Sequence, residues 1–218
     1  MIPAKVLHLQ ALLGREEATY ATAITLTASV DGLQMQFAKD DTAVIFTPKY
    51  AYDGDIGPSI SSLGTLSRVS PTGLYYEGTI PALMRLPAIA YTASVLPGLH
   101  RLIKMAGFDA AVTTSAGTEK WVYTPTNGAI QSTSLTLQGY QRGETIILPG
   151  ALGNLQIAGK DGKPPIFSFP TKAIGAFPAD AAALPAGLVY PNQATPPLIN
   201  AAVTMVFGSF SANGVLKS

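Results

Sequence analysis

The chain has 218 residues, enough for one large β domain or two small ones around a buried core. Its formal net charge is +1, so no global field favours nucleic acid or an anionic membrane, and it has no cysteine, which excludes disulfides and thiolate metal sites and favours a cytoplasmic origin. Only 12% of residues are charged, against about 25% in ordinary domains, so the surface is expected to be rich in Ser, Thr and Gln or to be covered by other copies of the chain.

Residues 1–20 read as an N-terminal arm. They lack the apolar run and small-residue cleavage site of a signal peptide, and no stretch of the chain approaches the roughly 20 apolar residues of a membrane span, so no membrane insertion is expected. Residues 21–177 read as the β domain. Its clearest hairpin is "TAITLTASVDGLQMQFA", residues 22–38. Ile24, Leu26, Ala28 and Val30 alternate with Thr25, Thr27 and Ser29, and Leu33, Met35 and Phe37 alternate with Gln34 and Gln36. Asp31-Gly32 between them is a preferred two-residue turn, and pairing across it puts all the apolar residues on one face and a wet Thr/Ser/Gln set on the other.

Residues 39–70 read as a long loop with a short strand candidate, "AVIFTP". The rest is rich in Gly, Asp, Ser and Tyr, and a loop of this length usually has a task. Strands resume at "TGLYYEGTIPALM", with Leu74, Tyr76 and Ile80 on one face and Tyr75, Glu77 and Thr79 on the other, and at "AIAYTASVL", where Ile89, Tyr91, Ala93 and Val95 alternate.

"PGLHRLIKMAGF" predicts one short helix over about residues 97–106. Leu99, Leu102, Ile103 and Ala106 share a face, while His100, Arg101 and Lys104 point to water. Pro97 suits its first turn, Gly107 the left-handed stop, and Phe108 can fold back on the last turn. Further strands follow: "KWVYTP", "AIQSTSLTLQGY" turned at 141–144 into "TIIL", and the pair "GNLQIA" and "IFSFPT" around "GKDGKP". Each strand has a nearby partner, so the sheet should be largely antiparallel. Residues 178–197 are rich in Pro and Ala and read as an extended arm, leading to a last strand candidate and tail over residues 198–218.

Little here points to catalysis. His8 and His100 have no metal-ligand spacing around them. "TTSAG" lacks the first glycine of a nucleophile elbow, and "GKDGK" lacks the P-loop spacing. Asp53 and Asp55 in "YDGDIG" lack the EF-hand pattern and read as loop. Trp121, beside Tyr123, reads as a core or interface anchor. No catalytic, cofactor or metal residues are expected, and the chain does not read as an enzyme.

The order of several stretches resembles the tail tube proteins of siphophage-type bacteriophages, over roughly residues 11–180. "ALLGREEATYAT", with Gly14, Glu17 and Tyr20, resembles the family's N-terminal arm. "KMAGF" resembles its helix stop, and "WVYTPTNGAIQSTSLTL" its Tyr-Thr-Pro signature and Ser/Thr-rich strand. "LPGALGNLQIAGKDGKPPIFSFPTKAIGAFPAD" resembles its Gly-rich strand, turn and Phe-rich strand, although Leu152 stands where the family's pattern has arginine.

The resemblance implies a mainly β, antiparallel sandwich or barrel-like domain with one helix packed on the sheet, and a structural virion protein without catalytic residues or cofactors. Hexameric rings would stack into a tube, assembled in the host cytoplasm, through which phage DNA passes without sequence-specific contact. The partners implied are the chain itself and other tail proteins such as the tape measure, tail terminator and tail tip. On this basis Thr25, Thr27, Ser29, Gln34 and Gln36 are expected to line the channel, where uncharged groups do not hold phosphates. Leu99, Leu102, Ile103, Ala106 and Phe108 are expected to cap the apolar side of the sheet. Leu12, Leu13, Tyr50, Tyr52, Asp53, Asp55 and Ile56 are expected to reach the next ring. Competing readings are a tail-tip, tail-completion or decoration ring protein, the inner tube of a contractile injection system, and, from another class, a soluble β-sandwich ligand-binding module.

Overall fold

A computed structural model describes residues 9–33, 46–52, 71–85, 89, 91–116, 119–126, 133–141, 144–159, 164–175, 178–180 and 184–192. Among them the chain is mainly β and antiparallel, with two short helices. The strands are β1 (Leu9–Glu16), β2 (Phe46–Tyr52), β3 (Pro71–Leu83), β4 (Phe108–Thr113), β5 (Lys120–Pro125), β6 (Leu135–Gln141), β7 (Glu144–Gly153), β8 (Gln156–Ala158), β9 (Ile166–Ile174) and β10 (Ala179–Asp180). The helices are α1 (Ala28–Asp31) and α2 (His100–Met105). The main sheet runs β1-β6-β7-β9-β3-β2, with β10 on β7 and β8 on β9, while β4 and β5 form a separate hairpin.

β7 belongs to both halves of this sheet. Its first part pairs with β6, from Gln141↔Glu144 to Leu137↔Leu148, and the register then slips by one residue to reach Leu135↔Ala151. Its last two residues pair instead with β9, Leu152↔Lys172 and Gly153↔Thr171. The slip falls at Pro149-Gly150, where proline has no N–H for the ladder and Gly150 takes φ 65°, a left-handed value suited to a bulge. The bend lets the two halves face a common core in a sandwich-like arrangement.

Glu17 closes this corner. Its Oε1 accepts the Gly150 N–H at 2.9 Å and the Thr136 hydroxyl at 2.7 Å. Its Oε2 accepts the Ser134 hydroxyl at 2.5 Å and the Ala21 N–H at 2.9 Å. Thr136 in turn accepts the Ile24 N–H at 3.2 Å. Ser134 and Thr136 are therefore buried beneath the 17–24 segment rather than wet.

Prolines inside strands obey the same logic. Pro48 lies on β2, the edge strand. Pro81 lies on β3 past the Phe46↔Gly78 end of β2. Pro170 lies on β9 between the stretches paired with β7 and with β8. Each has a side of the strand with no described ladder partner, where a missing N–H is tolerated.

The core joins Phe46, Tyr76, Ile80, Phe167 and Phe169 from β2, β3 and β9 to Leu12, Leu135, Leu137, Ile146 and Leu148 from β1, β6 and β7. α2 covers it with Leu99, Leu102, Ile103 and Met105, and Ala106 and Phe108 pack at its margin. The helix stops as the sequence predicts: Ala106 N–H bonds the Leu102 and Ile103 carbonyls, Gly107 N–H bonds the Lys104 carbonyl, and Gly107 has φ 87°.

Several expectations need correction. Residues 9–16 are not an arm but a strand, paired with β6 from Leu9↔Gln141 to Glu16↔Leu135. Leu12 and Leu13 are 0% and 1% exposed, so they are core and not contacts for a neighbouring ring. Within the 39–70 loop, residues 46–52 form β2, an antiparallel partner of β3. The described residues of the 88–96 strand candidate, 89 and 91–96, carry only a turn closed by the Thr92↔Val95 bridge.

The 22–38 hairpin does not form over its described part. Residues 22–27 run outside any ladder, 28–31 coil into α1, and Gly32 takes φ −57°, ψ 131°, which is not the second position of a two-residue hairpin turn. The cause is Asp31, which is fully buried. Its Oδ2 accepts the Thr27 N–H at 2.7 Å and lies 3.6 Å from the Arg15 guanidinium. Its Oδ1 lies 3.3 Å from Arg101 Nη1 and is held there by charge, because that nitrogen donates to the Gly14 carbonyl at 2.7 Å and the Val30 carbonyl at 3.4 Å. A hairpin tip would leave this carboxylate in water, away from two arginines. Residues 34–38 lie outside the described residues.

The Pro/Ala-rich segment is partly docked. β10 pairs with β7, and Val189 N–H bonds the Ala28 carbonyl at 3.1 Å. Gly32 faces the Val189 carbonyl with no room for a Cβ. Residues 193–218, including the last strand candidate, lie outside the described residues.

Glu17→Ala is expected to lower stability by about 2–4 kcal/mol in urea unfolding, because two buried hydroxyls and the Gly150 N–H lose their acceptor. Glu17→Gln, which keeps one acceptor oxygen, should lose less.

Candidate functional site

The half-sheet β2-β3-β9 has two unlike faces, and its register separates them. Toward the core, Tyr76 pairs with Ala173, Ile80 with Phe169 and Ala82 with Phe167. Three of the rows on the outer face lie side by side. Thr47, Glu77, Lys172 and Leu152 form one; Lys49, Tyr75 and Ile174 form the next; Thr79 and Pro170 form the third. The period of two in "TGLYYEGTIPALM" dictates this division.

These rows floor an open concavity of about 880 Å³, with Tyr20, Gly150 and Asn154 also lining it. Lys49, Glu77 and Lys172 are the charged residues among its described lining. Lys172 Nζ lies 2.7 Å from Glu77 Oε1, with side chains 75% and 35% exposed. That hydrogen bond holds the Glu77 carboxyl below the usual range, with the Lys49 charge adding to it, and raises the Lys172 ammonium above its own. The pair is a solvated one, so it orders charge on the surface more than it stabilises the fold.

A second polar cluster lies behind α2. His100 is not on the wet side of the helix: it is 6% exposed. Its Nδ1 is 2.9 Å from the Tyr123 hydroxyl, its ring meets Trp121 edge-on at 4.6 Å, and Trp121 Nε1 donates to the Val95 carbonyl at 3.1 Å. Burial pushes the Tyr123 phenol up. With the imidazole N–H on Nε2, facing Glu16 Oε1 at 4.0 Å, Nδ1 is left to accept from the Tyr123 hydroxyl. Lys104 caps the same carboxylate through its ammonium. Burial lowers the His100 pKa to about 4, against the pull of Glu16. The cluster binds the β4-β5 hairpin to α2. Trp121 and Tyr123, two apart on a strand and both needing polar partners when buried, were the sequence signal for it.

Of the residues predicted to line a channel, the described ones, Thr25, Thr27 and Ser29, do not form a sheet face. Thr25, Thr27 and Ser29 are exposed, alternating with half-buried Ile24, Leu26 and Ala28, but they sit on the 22–27 segment and α1. Gln34 and Gln36 lie outside the described residues. Leu99, Leu102 and Ile103 are brought together in the core with Ala106 and Phe108 beside them. Tyr50 and Tyr52 lie on β2 opposite Leu74 and Pro71. Asp53, Asp55 and Ile56, in the β2–β3 connection, and His8 lie outside the described residues. No group of metal-ligating side chains occurs among the described residues, and none of their helices is long and apolar enough to cross a membrane.

No protein-family model matches this chain, and no curated protein matches it.

The His100 shift sets a pH dependence with a definite sign. The unfolded chain binds the imidazole proton near pH 6.5 and the folded chain near 4. Stability is therefore full above about 6.5 and falls as pH drops toward 4, by at most about 3 kcal/mol from this group. Urea midpoints measured across that window should fall in the wild type and show a smaller slope in His100→Gln.

Proposed function

We propose that this chain is a tail tube subunit of the bacteriophage type, forming rings that stack around a channel for DNA. The observation that carries the reading is the two-faced half-sheet β2-β3-β9. One face builds the core, and the other is open and mixed, with Thr47, Thr79, two lysines and one glutamate beside Tyr75, Leu152, Pro170 and Ile174. Its edge strand β2 meets no further strand among the described residues, and a strand edge is a template for a second copy. A charged fraction of 12% supports the same reading, since residues covered in an assembly need no solubilising charge.

In this reading the channel wall is the outer face of β2, β3 and β9, in place of the 22–38 hairpin. β2 and β3 are the strands joined by the 53–70 connection, which would then extend from the rim of the ring toward its neighbour. Tape measure, tail terminator and tail tip proteins would be the other partners, and the virion tail the location.

Purified full-length protein at high concentration should show rings and stacked tubes by negative-stain microscopy. Uniform monomers would overturn the proposal, and isolated rings that never stack would favour a tail-tip, tail-completion or decoration protein. Removing residues 54–61 should abolish long tubes while the circular dichroism spectrum stays that of a folded β protein; full-length tubes from this deletion would remove the connection from the ring-to-ring contact.

A further inference from the structure

On the reading that the β2-β3-β9 face is the wall along which DNA passes, we infer that Glu77 is the residue that keeps Lys49 and Lys172 from holding the phosphates. Thr47, Glu77 and Lys172 lie side by side in one row, and Lys49 lies in the next row, diagonal to Glu77 and on the same face. A diagonal neighbour on a sheet face is within reach of a long side chain. Glu77 thus sits between two exposed lysines, hydrogen-bonded to one and in the field of the other. With its carboxylate in place the face carries a small positive excess. Without it two ammonium groups stand free at the same spot.

That difference matters because the lysines remain reachable. The Lys172 side chain is 75% exposed even while paired. Each lysine that meets a phosphate releases condensed counterions, so binding per contact is favourable at low salt and falls as salt rises. Around a ring and along a stack of copies, such contacts would add as multivalent holds, and a hold too weak to notice in one protomer would stall a strand moving past many. A carboxylate beside the lysines removes their attraction at short range and adds repulsion of the phosphate.

The test uses the purified full-length chain and a fluorescein-labelled DNA duplex of about 30 base pairs, followed by anisotropy from low to moderate salt. Wild-type protein should bind weakly. Glu77→Gln should bind about tenfold tighter at low salt, with the salt slope steeper by about 1–2. Glu77→Thr, the residue type already at Thr47 and Thr79 on this face, should show the same gain, so a folding failure in either variant does not decide the matter. Glu77→Gln with Lys172→Gln should lose most of the gain. Asp109→Asn, the same charge change on the exposed face of β4, should bind as the wild type does. Unchanged binding in both Glu77 variants, or an equal gain in Asp109→Asn, overturns the inference. Microscopy of the same samples separates it from the reading it rests on. Tubes without any gain overturn the role of Glu77 only, whereas a gain without rings or tubes supports that role and overturns the tube reading.

Discussion

One carboxylate holds the corner on which the rest of the structure depends. A strand that changes partners midway leaves its bulge with an unpaired N–H, and here Gly150 supplies that N–H to Glu17. The same carboxylate takes the hydroxyls of Ser134 and Thr136 and the Ala21 N–H. Four donors on one ionised group make short, strong bonds and fix three chain segments relative to each other. β7 can then pair with β6 on one side of the bend and β9 on the other, and both halves of the sheet can face the core that α2 covers.

A chain with few charges places them with care. Asp31 is buried between Arg15 and Arg101, which join β1, α1 and α2. Glu16 faces Lys104 and His100 across the junction of β1 and α2. Burying such groups is costly, and removing a partner costs more than the pair itself returns. Their effect is to choose one arrangement: α1 could not become a hairpin tip without exposing Asp31 and abandoning both arginines. The charges that stay on the surface at Lys49, Glu77 and Lys172 have little influence on folding and more on what approaches the concave face.

That contrast connects fold to proposed function. A sheet whose inner face is covered by its own helix and second half-sheet is free to present its outer face to a lumen. A hexameric or similar ring would place copies of this face around a common axis. The edge of β2 and the 53–70 connection would then serve contacts between copies, while the helix side stays within the protomer.

Local pattern was sufficient where one short segment decides the outcome. The alternation in 71–83 determined which residues of β3 face the core, the spacing of Leu99, Leu102 and Ile103 with Gly107 after them determined α2, and the β6-β7 and β8-β9 hairpins followed from their turns. These features depend on backbone geometry and apolar period within about a dozen residues. Tertiary structure decided the rest, because the deciding partner lies far along the chain. Arg101 lies 70 residues from Asp31, and its charge turned a good hairpin signal into α1. Ser134 and Thr136, more than a hundred residues from Glu17, made an apparent arm into the clamp on the bulge. Trp121 and Tyr123 drew His100 inside, where its own helix period would have left it wet. Apolar periodicity marks which side of an element is buried, but it carries no record of which distant charge or hydroxyl will be there to meet it.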